Sequence, residues 1–210
     1  PDSDIRNLKD MRDLPIMISD ASIGAFWLWL KSKYDFNDNQ IRKKTFSLAP
    51  FLSNKSSIQQ GYLTSEPFLV EREAGFTPKV FLLADYGYPS YGAMVLASSN
   101  VLKNNPEIVK AFVDASIEGW RQYIYDDPSL GNELIMLENN EMKEDILLQA
   151  IKKIRNYELV SNEISKGLDI GLMTDIKWES FFKTMSINGV YEKDLEWRES
   201  FTLDFINKEN

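Results

Sequence analysis

PIMISDASIGAFWLWLKSKY, Pro15 to Tyr34, opens on a short apolar run rich in strand formers and leads through Ser-Asp-Ala-Ser into Ile23 to Tyr34, whose apolar spacing is helical. This is a strand-to-helix junction, the repeating unit of an α/β sheet. A second junction follows in QQGYLTSEPFLVEREAGF, Gln59 to Phe76. Here Gly61–Ser65 reads as a strand, Glu66 as the helix N-cap, Pro67 as the first helical residue and Gly75 as the stop.

Working outward, KKTFSL (Lys43–Leu48) reads as a further strand, and the stretch from Ala49 to Gln60 as a loop with a short helix. KVFLLAD (Lys79–Asp85) has the continuous apolar character of a strand buried on both faces, and AMVLASS (Ala93–Ser99) reads as a fifth strand. Strands alternating with helices over the first hundred residues predict an α/β fold. The second half predicts helices instead. Ile108, Val109, Phe112, Val113, Ile117 and Trp120 form an inward stripe over Pro106–Tyr125. Ile146, Leu147, Ala150, Ile151 and Ile154 form another over Met142–Tyr157. Thr174 caps a third helix, with Ile176, Phe181, Phe182 and Met185 inward and Asn188-Gly189 as its stop. The one lobe boundary this pattern permits falls in Tyr86–Gly92.

Composition removes several function classes. The 24 Lys and Arg against 32 Asp and Glu leave a formal charge of −8, so a nucleic acid would be repelled over most of the surface. With no His and no Cys among 210 residues, a Ser-His-Asp triad, a Cys-His pair and a nitrogen-sulfur zinc site are all excluded. No catalytic residue, metal ligand or cofactor is assigned. Asp126 and Asp127 end a helix, Glu71 and Glu73 lie on an amphipathic one, and no carboxylate pair is placed for acid/base work. The longest apolar run, Ile23–Leu30, is far short of a membrane span and reads as a buried helix.

Ligands of parallel sheets gather at the carboxyl ends of strands, where helix N-termini present free N–H groups. The candidate binding residues are therefore Ser19, Asp20 and Ser22 at the first junction and Ser65 and Glu66 at the second. Plain helix capping is the simpler reading of the first set. Glu66 is the more informative residue. A carboxylate at a cleft needs a partner, and it would accept hydrogen bonds from a ligand amino group or cation while disfavouring an anion; offset by the helix dipole is the simpler reading. Tyr86, Tyr88 and Tyr91, interleaved with Gly87, Pro89 and Gly92, offer flat faces for stacking or for packing between lobes. Trp27 and Trp29 lie on opposite sides of their helix, so at most one faces a cleft.

IQQGYLTSEPF, GFTPKVFLLADYGYPSYG, NNPEIVKAFVDASIEGWRQYIYDDP and GLMTDIKWESFFKTMSINGVYEKDL, in that order, resemble the NMT1/THI5-like substrate-binding proteins of bacterial ABC transporters. The resemblance runs from about Ile5 to Lys208 and implies a type II periplasmic-binding-protein fold. On that basis Ile5–Tyr88 is expected to form the second α/β lobe, and Tyr91–Asn210 a largely helical return to the first. Two lobes would close by hinge motion on a small molecule, for example a thiamine-precursor pyrimidine, with the transporter permease as protein partner and the membrane met only through it. The family also implies an extracytoplasmic location, with a signal peptide upstream.

Pro1 follows no initiator Met, and the family's first lobe begins ahead of this point, so the chain reads as truncated or processed. Exposed apolar helix faces, dimerisation or rearranged packing are then expected. Two other functions are weighed. One is a THI5-type enzyme of pyrimidine biosynthesis, whose members consume a histidine of their own. The other is the effector-binding domain of a transcription regulator.

Overall fold

The structure, a computed structural model, describes residues 4–45, 47–54, 56–161, 165, 167 and 169–206. The chain forms two compact units, Pro1–Ser90 with Ile176–Trp197, and Tyr91–Asp175 with Arg198–Asn210.

In the first unit the apolar run at Pro15 becomes β1 (Ile16–Ile18), followed by α1 (Asp20–Ile23), α2 (Phe26–Tyr34), β2 (Ile41–Lys43), α3 (Ala49–Leu52), β3 (Ile58–Gln59) and α4 (Glu66–Ala74). The three strands are parallel, in the order β2–β1–β3. Ile16, Met17 and Ile18 pair with Ile41, Arg42 and Lys43 on one side, and Ile16 and Met17 with Ile58 and Gln59 on the other. Both faces of β1 are covered, and its three side chains are all buried, which is why it reads as an unbroken apolar run.

The helix predicted over residues 23–34 begins earlier and is broken at Gly24 and Ala25. Ala25 leaves helical geometry with φ −119° and ψ −114°. Beyond the break, Trp27 and Trp29 of α2 are both fully buried, so neither faces a cleft. The Trp27 indole N–H donates to Asp38 Oδ1 at 2.9 Å, and Lys31 Nζ holds the other oxygen at 2.8 Å. Asp38 lies in a 3-10 turn immediately before β2, so the side-chain bond ties α2 to that strand. Buried Gln40 adds a second tie, its amide donating to the carbonyls of Met11 and Leu14 at 2.8 Å each.

Four strand expectations are corrected. The second strand is Ile41–Lys43 instead of Lys43–Leu48, and Phe46 lies outside the described residues. The third is Ile58–Gln59, and Gly61–Ser65 forms a turn. Lys79–Asp85 runs into a 3-10 turn at Leu83–Tyr86, closed by Gly87 in the left-handed region (φ +86°). There the amides of Gly87 and Tyr88 donate to Ala84 and Leu83, so local turn bonds replace ladder bonds. Residues 93–98 join no sheet, and Leu96 among them is 96% exposed. Apolar period marks a segment able to pair, whereas pairing requires a neighbour at the right edge.

The second unit is helical: α5 (Ser99–Asn104), α6 (Pro106–Tyr125), α7 (Ser129–Glu138) and α8 (Glu144–Asn156). Its buried apolar residues include Val109, Ile124, Ile146, Leu147, Ile151 and Ile170. Tyr123 donates its hydroxyl to the buried Asn132 at 2.8 Å. At Gly131 any Cβ would lie 2.6 Å from the Tyr123 ring, so glycine is what lets α7 approach α6 there. Of the stripe predicted inward on α6, Ile108, Phe112 and Trp120 are exposed, because their own unit covers a narrower face of the helix than the sequence offers.

α9 (Asp175–Ile187) contributes Met185, 1% exposed, to the core of the first unit beside Leu8, Met11, Ile16, Ile18, Trp27, Trp29, Leu30 and Phe36. Phe181 and Phe182 are half-buried, while Ile176, expected inward, is 79% exposed in the first helical turn. Gly189 at φ +68° ends the segment as predicted. A mixed α/β chain with a small parallel sheet and a mostly helical remainder results, compatible with a type II periplasmic-binding-protein-like fold. Met185→Ala should destabilise the chain by about 2–5 kcal/mol in urea unfolding, through lost burial and the cavity left behind. Ile187→Ala, at a residue 84% exposed, should change it by less than about 0.5 kcal/mol; equal effects would contradict this packing.

Candidate functional site

The strand order β2–β1–β3 sends the chain to one side of β1 first and to the other side later. The order therefore reverses between β1 and β3, and the carboxyl ends of these strands are where parallel sheets generally take ligands. Three residues that follow the strands line up there. Ser19 follows β1, and its amide donates to Gln60 Oε1 at 2.9 Å. Gln60 follows β3 and donates its own amide to Met17 O at 2.8 Å; Lys44 follows β2 and donates its amide to Ile18 O at 3.1 Å. Continuation of the backbone ladder by one bond on each side of β1 thus sets the spacing of these side chains.

Ser19 occupies the N-cap position of α1, but its hydroxyl makes no capping bond. It pairs instead with the Ser22 hydroxyl at 2.9 Å, with Ser22 buried. Asp20 is exposed in the first turn of α1.

Glu66 is the first residue of α4, with Ser65 at the N-cap position and Pro67 second, one position on from the sequence expectation. Its carboxylate is held from two directions. Lys44 Nζ donates to Oε1 at 2.5 Å, and the Tyr62 amide donates to Oε2 at 2.8 Å. The two charged side chains are only 17% and 18% exposed, so the pair is largely removed from water. Gly61 permits the approach: a Cβ there would lie 3.1 Å from Glu66 Cβ and 3.3 Å from Oε2. The helix terminus adds favourable partial charge. A carboxylate offers about four lone-pair positions, two of which are filled here, so acceptor capacity remains.

Tyr86, Tyr88 and Tyr91 do not form one stacking surface. Tyr86 and Tyr88 pack against the core of the first unit. The Tyr88 ring meets Phe26, Trp29 and Phe181 at centroid distances of 6.5, 5.2 and 5.8 Å. Burial, followed by the neighbouring Tyr191, pushes the Tyr88 phenol above its ordinary range, opposed by a hydrogen bond with Ser90. The Tyr86 carbonyl accepts from Lys33 Nζ at 2.6 Å. Tyr91 belongs to the second unit, where its hydroxyl accepts from the Thr174 amide at 3.0 Å.

Lys44 and Gln60 also stand at this candidate edge, and sequence reasoning does not assign them. Lys44 falls inside a predicted strand and Gln60 inside a predicted loop. The signal for both is present in the chain: a polar residue directly after a parallel strand, and a carboxylate at a helix start that calls for a cation. Two open hollows lie elsewhere in the first unit. One of about 290 Å³, lined by Asp13, Pro15, Asn37, Asn39, Gln40 and Arg42, is at the amino end of the sheet. The other, of about 420 Å³, lies between α2 and the Asn188–Val190 turn.

The small parallel sheet with a polar carboxyl edge and a mostly helical remainder is compatible with a periplasmic-binding-protein-like fold. Residues 1–130 match the family model described as NMT1/THI5 like, more than half of the sequence, and the chain belongs to that family. The match takes in β1 through α6 and the start of α7, and stops short of the GLMTDIKWESFF segment. No curated protein matches the chain. The family consists mostly of binding proteins, usually extracytoplasmic, and also contains the THI5 members, so membership is consistent with a substrate-binding role. No helix among the described residues is long and apolar enough to cross a membrane.

Glu66→Ala or Lys44→Met should each cost about 1–3 kcal/mol in urea unfolding, since either leaves a mostly buried charge unpaired. The double variant should cost less than their sum, by about 0.5–3 kcal/mol; strict additivity would show that the pair is not coupled. For Tyr88, a raised folded-state pKa means that its contribution is fully present below the unfolded value of about 10 and is lost as pH rises through the folded value. Thermal melts should therefore fall above about pH 10, and less steeply in Tyr88→Phe.

Proposed function

We propose that this chain is the solute-binding component of a bacterial ABC uptake system, recognising an amino-bearing planar heterocycle such as a thiamine-precursor pyrimidine. One observation carries the reading: Ser19, Ser22, Lys44, Gln60 and Glu66 are linked by hydrogen bonds to one another or to the strand ends along the carboxyl edge of the β2–β1–β3 sheet. This is where parallel sheets bind small ligands, and it lies within the residues that match the family.

In this reading the unfilled lone pairs of Glu66 accept from a ring amino group, and the Ser19 and Ser22 hydroxyls bond ring nitrogens. Asp20 and Ser65 lie at the rim. Tyr86, Tyr88 and Tyr91 are given no stacking role in this reading, because the Tyr88 ring is already packed in the core of its own unit. The proposed lobes are Ile5–Tyr88 and Tyr91–Asn210, with Ile176–Trp197 packed back into the first unit, the proposed setting extracytoplasmic, and the proposed protein partner the transporter permease. Binding requires no catalytic group, and none is assigned.

Thermal-shift screening against aminopyrimidines, flavins, sulfonates and polyamines tests the proposal. Aminopyrimidines should stabilise the chain, and Glu66→Gln should weaken that binding at least about tenfold while the variant remains folded. Stabilisation by sulfonates alone, or an unchanged affinity in Glu66→Gln, would overturn the assignment.

A further inference from the structure

We infer that Lys44 determines the charge of the ligand this edge accepts: by neutralising Glu66 it makes the site select an uncharged amino-bearing ring and reject organic cations. The inference rests on the binding reading above and deepens it. An isolated, mostly buried carboxylate would favour a cation. Beside Glu66, however, the ammonium of Lys44 sits 2.5 Å from Oε1, with both side chains more than four-fifths buried. At that spacing an approaching ligand meets the field of a dipole instead of a net charge, and the Coulomb attraction for an ammonium largely cancels.

Position enforces the pairing. Lys44 leaves β2 with its amide on Ile18 O, so its side chain starts from the sheet edge itself. Glu66 is held in place independently by the Tyr62 amide and by the close approach that Gly61 allows. Asp20, the other acidic group assigned to this edge, is exposed and screened by water, so its charge weighs less. What remains for recognition is hydrogen-bond geometry: free lone pairs on Glu66 and the hydroxyls of Ser19 and Ser22. Those groups read a neutral amine donor beside a ring acceptor.

The test is isothermal titration of the full chain and of Lys44→Met, Lys44→Arg and the Lys44→Met/Glu66→Gln double variant. The probes are 4-aminopyrimidine and spermidine at mildly alkaline pH, and circular dichroism verifies folding. The unsubstituted chain should prefer 4-aminopyrimidine. Lys44→Met should shift the affinity ratio toward spermidine by at least about tenfold, Lys44→Arg should not, and the double variant should lose the spermidine gain. A ratio unchanged in Lys44→Met while 4-aminopyrimidine still binds would overturn the role of Lys44 and leave the binding reading standing. If Lys44→Met fails to fold, the double variant decides: a spermidine preference there would likewise overturn it. Binding of neither probe by the unsubstituted chain would remove the underlying reading, and this one with it.

Discussion

Enclosure of β1 is the constraint on which the first unit depends. Three residues, Ile16, Met17 and Ile18, are paired on both edges and covered on both faces. Its neighbours run parallel, and each returns through helical or turn structure that also supplies cover. The tryptophans of α2 provide part of that cover. Trp27 is anchored to Asp38, and Trp29 is packed edge-on to Tyr34 and tilted against Tyr88. Ring pairs of this kind are each worth about 0.5–1.5 kcal/mol beyond simple burial. The sheet is small, but its centre is dry.

Parallel pairing has a chemical consequence at the carboxyl edge. One further ladder bond on each side of β1 brings the residues after the strands into a row, so Ser19, Lys44 and Gln60 become neighbours although they lie far apart in sequence. Glu66 then meets a cation supplied by the strand order, not by its own helix. Removing two charges from water is unfavourable unless each is matched, and the short bond to Lys44 together with the Tyr62 amide provides the match. Structural clamp and recognition group are compatible roles for one carboxylate, since two of its lone pairs remain.

Local signals are legible where local physics decides. β1, the helical ranges of α6 and α8, the start of α4 to within one residue and its Gly75 stop, and the Asn188-Gly189 ending of α9 all follow from period and capping chemistry. Lys79–Asp85 and Ala93–Ser99 read as strands because they have the composition of strands, yet they lack a partner edge in this fold. The tyrosine turn is legible as a connection but not as packing: Tyr88 points its ring into a core assembled from α2 and α9, segments about sixty residues before it and about ninety after. At the candidate site Ser19, Ser22 and Glu66 can be read from their junctions, whereas Lys44 and Gln60 cannot, because their roles arise from strand pairing.

By itself the sequence determined the class of fold, the strand-to-helix junction at Ser19, the start of a helix near Glu66, the helical character of the second half, and the exclusion of histidine and cysteine chemistry. These depend on residue type, short-range spacing and backbone geometry, all of which act within a few residues. Tertiary structure alone decided that the sheet has the order β2–β1–β3, that both tryptophans are core, and that Glu66 is paired with Lys44. Those outcomes are non-local: a strand edge, a cavity or a buried charge selects its partner by complementarity across space, and chain order says little about which partner that is.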